Sequence, residues 1–283
     1  MSSNNKSPLG LIVFGAAVLA TLVVAVSARA EFAGSPAAAP AQNAADQPAA
    51  PAPVCSAPAE LKRLVHPLIR TARRLASGAP LVIVAVGSSS TYGAGASSSA
   101  ASYPSRLALE LKQRFPSRDI TVLNRGVNGE ETAQMLGRFE NEVIGAHPDL
   151  VLWQVGTNAV MRDHSLAAHG ALLREGIAQL KRAGADVVLM DMQYVPRVLA
   201  KSETSGMEDQ LAITAKQENI DLFERFAIMR NWYDVQHIPF ETFASPDQLH
   251  MNDWGYGCVA KLLADAITEA ATRPVASAAR SGH

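Results

Sequence analysis

The sequence predicts an α/β domain, a three-layer α/β/α sandwich around a five-stranded, mostly parallel sheet. Three observations carry that expectation. Short apolar runs such as Leu81 to Val86 and Leu150 to Val155 have the length of strands, and continuous rather than alternating apolar character marks strands buried on both faces. Between them lie longer segments with apolar residues at helical spacing, such as Leu166 to Ala183; strands alternating with amphipathic helices imply parallel βα units. Hydrophobic residues make up 48% of the 283-residue chain, enough for one large core.

Taken in order, the chain opens with an export segment. Leu9 to Ala28 is uncharged and almost all apolar, Lys6 precedes it, and Ala28-Arg29-Ala30 reads as a cleavage site. The run is long for a signal peptide and just long enough to span a bilayer, so residues 1–30 are either a signal peptide or a membrane anchor. Both place the rest of the chain outside the cytoplasm, because the N-terminal positive charge stays inside. The expected location is therefore periplasmic, secreted or membrane-anchored. Residues 31–58 are rich in Ala and Pro and read as a disordered linker. The domain is expected over 59–272, with a flexible tail at 273–283.

Its first helix should begin near Leu61, where Leu61, Leu64, Val65, Leu68, Ala72 and Leu75 share a face; Pro67 predicts a kink or a late start. A strand at Leu81 to Val86, a helix at Tyr103 to Phe115 and a strand at Ile120 to Asn124 come next. A helix at Glu130 to Ile144, the strand Leu150 to Val155 and the helix Leu166 to Ala183 follow. The last strands are Asp186 to Met190 and Ile220 to Phe223, separated by a helix at Met207 to Glu218. After an irregular stretch, Asn252 can cap a final helix reaching about Ala271. No internal repeat is present.

Lys and Arg number 25 against 26 Asp and Glu. That balance leaves no electrostatic footprint for nucleic acid or an acidic membrane surface, so membrane contact is expected only through an uncleaved N-terminal segment. Neither the number nor the spacing of the two cysteines, Cys55 and Cys258, suits a metal site. In an oxidising compartment they could pair; alternatively Cys258 is a small buried helix residue and Cys55 lies in a mobile segment.

In parallel sheets, sites form beyond the carboxyl ends of the strands. Ser89, within Gly87-Ser88-Ser89-Ser90-Thr91-Tyr92-Gly93-Ala94-Gly95, follows the first strand. Gly129, within Asn124-Arg125-Gly126-Val127-Asn128-Gly129, follows the second, and Asn158 in Gly156-Thr157-Asn158 follows the third. Asp247-Gln248-Leu249-His250 immediately precedes the last helix. A serine hydroxyl needs a base to become a nucleophile. Imidazole suits that task at neutral pH, and a carboxylate on its other ring nitrogen fixes the tautomer. Oxyanion donors could come from the backbone N–H of Ser89, the N–H of Gly129 and the Asn158 amide. Singly, each has a plainer reading: a turn glycine, a capping asparagine, a flexible Ser/Gly/Ala-rich loop from Ser88 to Ala101. The loop lacks the lysine and the glycine spacing of a phosphate-binding turn.

In these blocks the chain resembles the SGNH hydrolases, the GDSL-like lipase/acylhydrolase family, over roughly Leu81 to Ala271. Gly87 to Gly95 is similar to G-D-S-x-T-x-G-x-G, with Ser88 in place of Asp. Gly129 matches the glycine of the second block. Gly156-Thr157-Asn158 matches G-x-N-D, with Ala159 in place of its Asp, and Asp247 and His250 match D-x-x-H. The resemblance implies a flavodoxin-like fold and no cofactor. It makes Ser89 the nucleophile, His250 the base and Asp247 its orienting partner, with Ser89, Gly129 and Asn158 forming the oxyanion hole. The implied activity is hydrolysis of carboxylic O-acyl esters, on small esters or acylated glycans, through an acyl-enzyme. An O-acyltransferase on the same residues and a non-catalytic envelope-binding domain are the alternatives. Spacing alone leaves open which of Ser88, Ser89 and Ser90 attacks; the match at Thr91, Gly93 and Gly95 favours Ser89. Loops 193–206 and 228–246 are expected to overhang the site. Their Trp232, Tyr233, Phe240 and Phe243 either line an acyl or sugar pocket or belong to the core.

Overall fold

The computed structural model describes residues 52–274. The expected signal or anchor, most of the Ala/Pro linker and the end of the tail lie outside the described residues. Leu81–Gly87 (β1), Ile120–Gly126 (β2), Leu150–Gln154 (β3), Asp186–Met190 (β4) and Asp221–Phe223 (β5) form one sheet in the order β2-β1-β3-β4-β5. Every pairing is parallel, the order of a flavodoxin-like sheet. The apolar runs explain the arrangement. Ile83 to Val86 of β1 and Leu150 to Trp153 of β3 are buried throughout, as strands covered on both faces must be. At the edge, β2 stays partly exposed, which is where Asn124 and Arg125 are tolerated.

The helices are α1 (Ile69–Ser77), α2 (Ser89–Tyr92), α3 (Tyr103–Arg114), α4 (Thr132–Gly137), α5 (Thr157–Met161), α6 (Leu166–Arg182), α7 (Pro196–Leu199), α8 (Thr204–Gln217), α9 (Arg225–Asp234), α10 (Phe240–Phe243) and α11 (Asp253–Thr272). Helix α11 packs on α1 and α3, while α6 packs on α4 and α8, the two layers that enclose the sheet. Among the described residues, no helix is long and apolar enough to cross a membrane.

Three expectations are corrected, and the late start that Pro67 predicts is realised. The helix expected near Leu61 starts at Ile69, beyond Pro67, whose ring and missing N–H bar it from a helix interior; a 3₁₀ turn at Glu60–Lys62 precedes it. The helix expected over Glu130 to Ile144 is broken into α4, a π-helical turn at Phe139–Val143 and a 3₁₀ turn at Ile144–Ala146. Arg138 sits at the break, held by Glu130 at 2.7 Å and by the Arg125 carbonyl at 2.7 Å. The stretch read as irregular before Asn252 contains α9 and α10. Helix α9 hides from a periodicity search because Arg225, a charged residue, lies on its buried face with Ile228, Met229 and Trp232.

The third correction concerns the domain limits. Cys55 and Cys258 form a disulfide with Cα atoms 5.4 Å apart, and the Trp232 indole N–H donates to the Ser56 carbonyl at 2.8 Å. The last residues assigned to the linker are thus fastened to the domain. Arg273, assigned to the tail, donates to the carbonyls of Leu64 and Val65 at 2.6 and 2.8 Å.

Candidate active site

Helix α2 begins two residues after β1 ends, so three consecutive serines face three ways. Ser88 is buried, and its N–H and hydroxyl both donate to Gln154 Oε1 at 3.0 Å. Ser90 is buried, and its hydroxyl donates to Gln193 Oε1 at 3.3 Å. Ser89 Oγ alone reaches an imidazole, 2.8 Å from His250 Nε2. The turn is seated on the end of β2: the Asn124 amide donates to the Thr91 carbonyl at 2.9 Å. A Cβ on Gly126 would fall 2.1 Å from the Tyr92 nitrogen, so only glycine lets α2 approach the strand this closely.

Asp247 and His250 stand on a loop pinched by an antiparallel bridge between Ala244 and Met251. Gln248 takes a left-handed conformation, φ 58°, which turns the chain tightly enough for Asp247 to face His250. Asp247 Oδ1 accepts from the Ser245 hydroxyl at 2.6 Å and from the N–H groups of Leu249 and His250, both at 2.9 Å. Asp247 Oδ2 lies 2.5 Å from His250 Nδ1. An ionised carboxylate can only accept, so the ring proton sits on Nδ1 and the Nε2 lone pair faces the Ser89 hydroxyl. Burial pushes the Asp247 carboxyl up. The His250 N–H, the Ser245 hydroxyl, the His250 ring and the Leu249 N–H outweigh it and hold the group well below the usual carboxylate range. The donors win because the side chain keeps 44% of its exposure, so desolvation is partial. Asn252 anchors the loop to α11, accepting from the Gly255 N–H at 3.1 Å and donating to the Thr242 carbonyl at 3.0 Å.

The oxyanion candidates follow β1, β2 and β3 and so meet at one edge of the sheet. The Ser89 N–H opens α2, ahead of the Thr91 and Tyr92 N–H groups that close its first turn on the Ser88 carbonyl. Gly129 has φ +78°, a conformation that strains any side chain, and its carbonyl accepts from Arg162 at 2.9 Å. The Asn158 amide nitrogen donates one hydrogen to the Glu130 carbonyl at 2.8 Å, which fixes it against the Gly129 turn and leaves its second N–H. Asn158 and Ser88 line the same small cavity, about 10 Å³. The triad candidates are thus joined by hydrogen bonds, and Asn158 is tied to the Gly129 turn beside them.

Several site residues escape a reading of the sequence. Gln154 Oε1 holds the Ser89 turn through Ser88 and also accepts from Thr91 Oγ1 at 3.3 Å; a lone polar residue inside the apolar run Leu150 to Val155 is its only signal. Arg162 supports Gly129 and pairs with Glu131, which also meets His164 Nδ1 at 2.6 Å. Gln193 and Arg225 are buried beneath the site.

The expected overhang is largely replaced by core and a separate hollow. Trp232 and Phe243 are fully buried. Tyr233 and Phe240 stack at 4.1 Å, and Phe240 lines a cavity of about 320 Å³ with Gly95, Ser245, Pro246 and Gln248, flanking the Asp247 loop. Arg197 N–H reaches the Gln248 carbonyl at 3.1 Å. Tyr194, Leu199, Lys201, Ser202, Thr204 and Ser205 of loop 193–206 instead border a cavity of about 630 Å³ with Asp191, Glu208 and Glu224, to which Ser89, Asp247 and His250 do not contribute. Among the described residues, no group of three or more His, Cys, Asp or Glu side chains is arranged to hold a metal ion.

An arylesterase from Vibrio mimicus is 32% identical over 95 residues, spanning 34% of this chain and 46% of the relative. An acetylxylan esterase from Geobacillus stearothermophilus is 27% identical over 95 residues, spanning 30% of this chain and 43% of the relative. The chain spans less than half the length of these curated relatives. Among solved structures, a two-domain esterase active on acetylated mannans, co-crystallised with mannopentaose, matches with a TM-score of 0.62 at 21% identity, covering 75% of this chain and 56% of that one. That likeness is one of fold. Residues 54–273 match the model of the non-GDSL lipase-like family, a name in keeping with Ser88 where GDSL has its Asp. With that match over most of its length, the chain belongs to the non-GDSL lipase-like family, and the SGNH-like resemblance of its four blocks holds.

Proposed function

We propose that this protein is a serine esterase that cleaves carboxylic O-acyl esters. The observation that carries the reading is the unbroken contact chain Ser89 Oγ to His250 Nε2 at 2.8 Å and His250 Nδ1 to Asp247 Oδ2 at 2.5 Å. Ser89 Oγ attacks the acyl carbon and its proton passes to His250 Nε2. The C–O bond to the alcohol then breaks, and the alcohol leaves with that proton. Water attacks the acyl-enzyme with His250 again taking a proton, and the carboxylic acid departs as the proton returns to Ser89 Oγ. The Ser89 N–H, Gly129 N–H and Asn158 amide stabilise the oxyanion of both tetrahedral intermediates. Similarity to an acetylxylan esterase and to an esterase active on acetylated mannans favours an acylated glycan over a free fatty ester as the substrate class.

The reading includes export. The apolar Leu9 to Ala28 run and Ala28-Arg29-Ala30 support it, as does the Cys55–Cys258 disulfide, a bond that persists in oxidising compartments. The test is labelling of the exported protein with a serine-directed fluorophosphonate, with the adduct mapped by peptide mass spectrometry. A single adduct on Ser89 together with release of acetate from an acetylated oligosaccharide is expected. No adduct and no release would leave a non-catalytic binding domain. Acyl transfer to an added sugar in preference to water would make it an acyltransferase.

A further inference from the structure

Gln193 follows β4 and is 1% exposed, and both ends of its carboxamide are engaged. Oε1 accepts from Ser90 Oγ at 3.3 Å, from Thr157 Oγ1 at 3.1 Å and from Arg225 Nη2 at 3.0 Å. Nε2 donates to the Leu249 carbonyl at 2.9 Å. Three of these four partners adjoin a site residue in the chain: Ser90 follows Ser89, Thr157 precedes Asn158, and Leu249 precedes His250. One side chain from a fourth strand end therefore ties the nucleophile turn, the Asn158 helix and the histidine loop together from beneath. Arg225, itself fully buried, backs it and is held by the carbonyls of Asp191 and Met192.

We propose that Gln193 is a positioning residue, one that sets the mutual placement of Ser89, Asn158 and His250 without touching a reacting atom. The inference rests on the esterase reading. Its physical basis is the polarity of the carboxamide. The site needs an acceptor toward two hydroxyls and a guanidinium, and a donor toward a carbonyl, in one buried planar group. Glutamate can only accept when ionised, and methionine offers neither strong donor nor strong acceptor. Hydrogen bonds in a water-free interior are strong and directional. Catalysis by a triad and an oxyanion hole is sensitive to displacements of about 1 Å, which can cost 10²-fold in rate.

Gln193→Met and Gln193→Glu test this in the full chain, using p-nitrophenyl acetate and active sites counted by complete fluorophosphonate titration. Gln193→Met removes all four bonds; kcat per titrated site should fall about 10²-fold with KM within twofold. Gln193→Glu keeps the three acceptor contacts, gains a charge pair with Arg225 and replaces the donor to Leu249 by an oxygen facing its carbonyl. It should fall about tenfold, and it keeps the question answerable if the methionine variant does not fold. A residue that merely stabilises the domain predicts fewer titratable sites and a lower melting temperature with unchanged kcat per site. That result in either folded variant overturns the proposal and leaves the esterase reading intact. A wild-type chain that neither labels nor hydrolyses overturns the esterase reading, and the proposal with it.

Discussion

Two regions on the carboxyl edge of the same sheet differ in almost every respect. Beyond β1, β2 and β3 stand Ser89, Gly129 and Asn158; the cavity shared by Ser88 and Asn158 measures about 10 Å³, and the one flanking the Asp247 loop about 320 Å³. Beyond β4 and β5 lies a hollow of about 630 Å³ bordered by Asp191, Glu208, Glu224, Lys201 and Arg230, with no imidazole in its wall. The first region is a set of oriented donors and acceptors braced by hydrogen bonds. In the second, burial pushes the Asp191 carboxyl up, and it pushes the neighbouring Glu208 up with the Asp191 charge adding to the effect. Two carboxyls this close share a proton rather than ionise together. Volume and chemistry are therefore separate properties of this edge, and the larger space is the less equipped for acyl transfer.

The sharpest way to break the contrast is Ser89→Ala. Hydrolysis of p-nitrophenyl acetate should fall by at least about 10³-fold with circular dichroism unchanged. Retained activity there, with Ser88→Ala or Ser90→Ala inactive instead, would sink the assignment.

His250→Ala should be nearly as severe, and Asp247→Asn less so, because in the proposed mechanism Asp247 orients the ring and does not carry the transferred proton. Since Asp247 is held well below the usual carboxylate range, its contribution to folding is fully present above the ordinary carboxylate pKa of about 4. It is lost only as the pH falls through the depressed folded value. Asp247→Asn should therefore impair turnover across pH 5 to 9 in steady-state assays. A variant that matches the wild type anywhere in that range would contradict an ionised orienting partner.

Asn158→Ala should lower kcat by about 10²- to 10³-fold while moving KM little, because the amide bonds an oxygen more strongly once that oxygen bears charge. A large KM effect with unchanged kcat would recast Asn158 as a ground-state contact.

The smallest effect belongs to the second region. Glu208→Gln should leave esterase kcat within twofold and raise stability at pH 8. Burial holds both carboxyls above their ordinary values in the folded protein. Stabilisation from the protonated pair is fully present below the unfolded carboxyl value of about 4 and is lost as the pH rises toward the folded values. Removing one carboxyl should flatten that decline and raise the melting temperature at pH 8 by about 2–6 °C. Identical melting-temperature curves against pH for variant and wild type would show that the pair carries no such load.

The contrast also explains what can be read from the sequence. Strands β1, β3 and β4 are legible because near-continuous apolar runs between helical segments have few other meanings. Ser89, Gly129, Asn158 and His250 are legible because each sits in a short block at a strand or loop end. Gln154, Gln193 and Arg225 are not, because their roles arise only when strand ends far apart in sequence meet; Gln193 gains its meaning from Ser90, Thr157 and Leu249 together. Helix α9 fails for a related reason, since a buried arginine looks like a break in the apolar stripe. The disulfide is an open choice in the sequence, decided by the docking of Ser56 under Trp232, which brings Cys55 to α11.

That disulfide also determines where a mechanical load enters the domain. Tension on the chain ahead of Cys55 does not reach α1 first; it passes through the covalent bond into Cys258, in the buried face of α11. Helix α11 packs on α1 and α3, so the force must shear a whole layer instead of unzipping the domain from its first helix. Reduction would move the point of attack some 203 residues along the chain and convert shear into peeling, a difference that single-molecule pulling from the amino side resolves as a drop in rupture force.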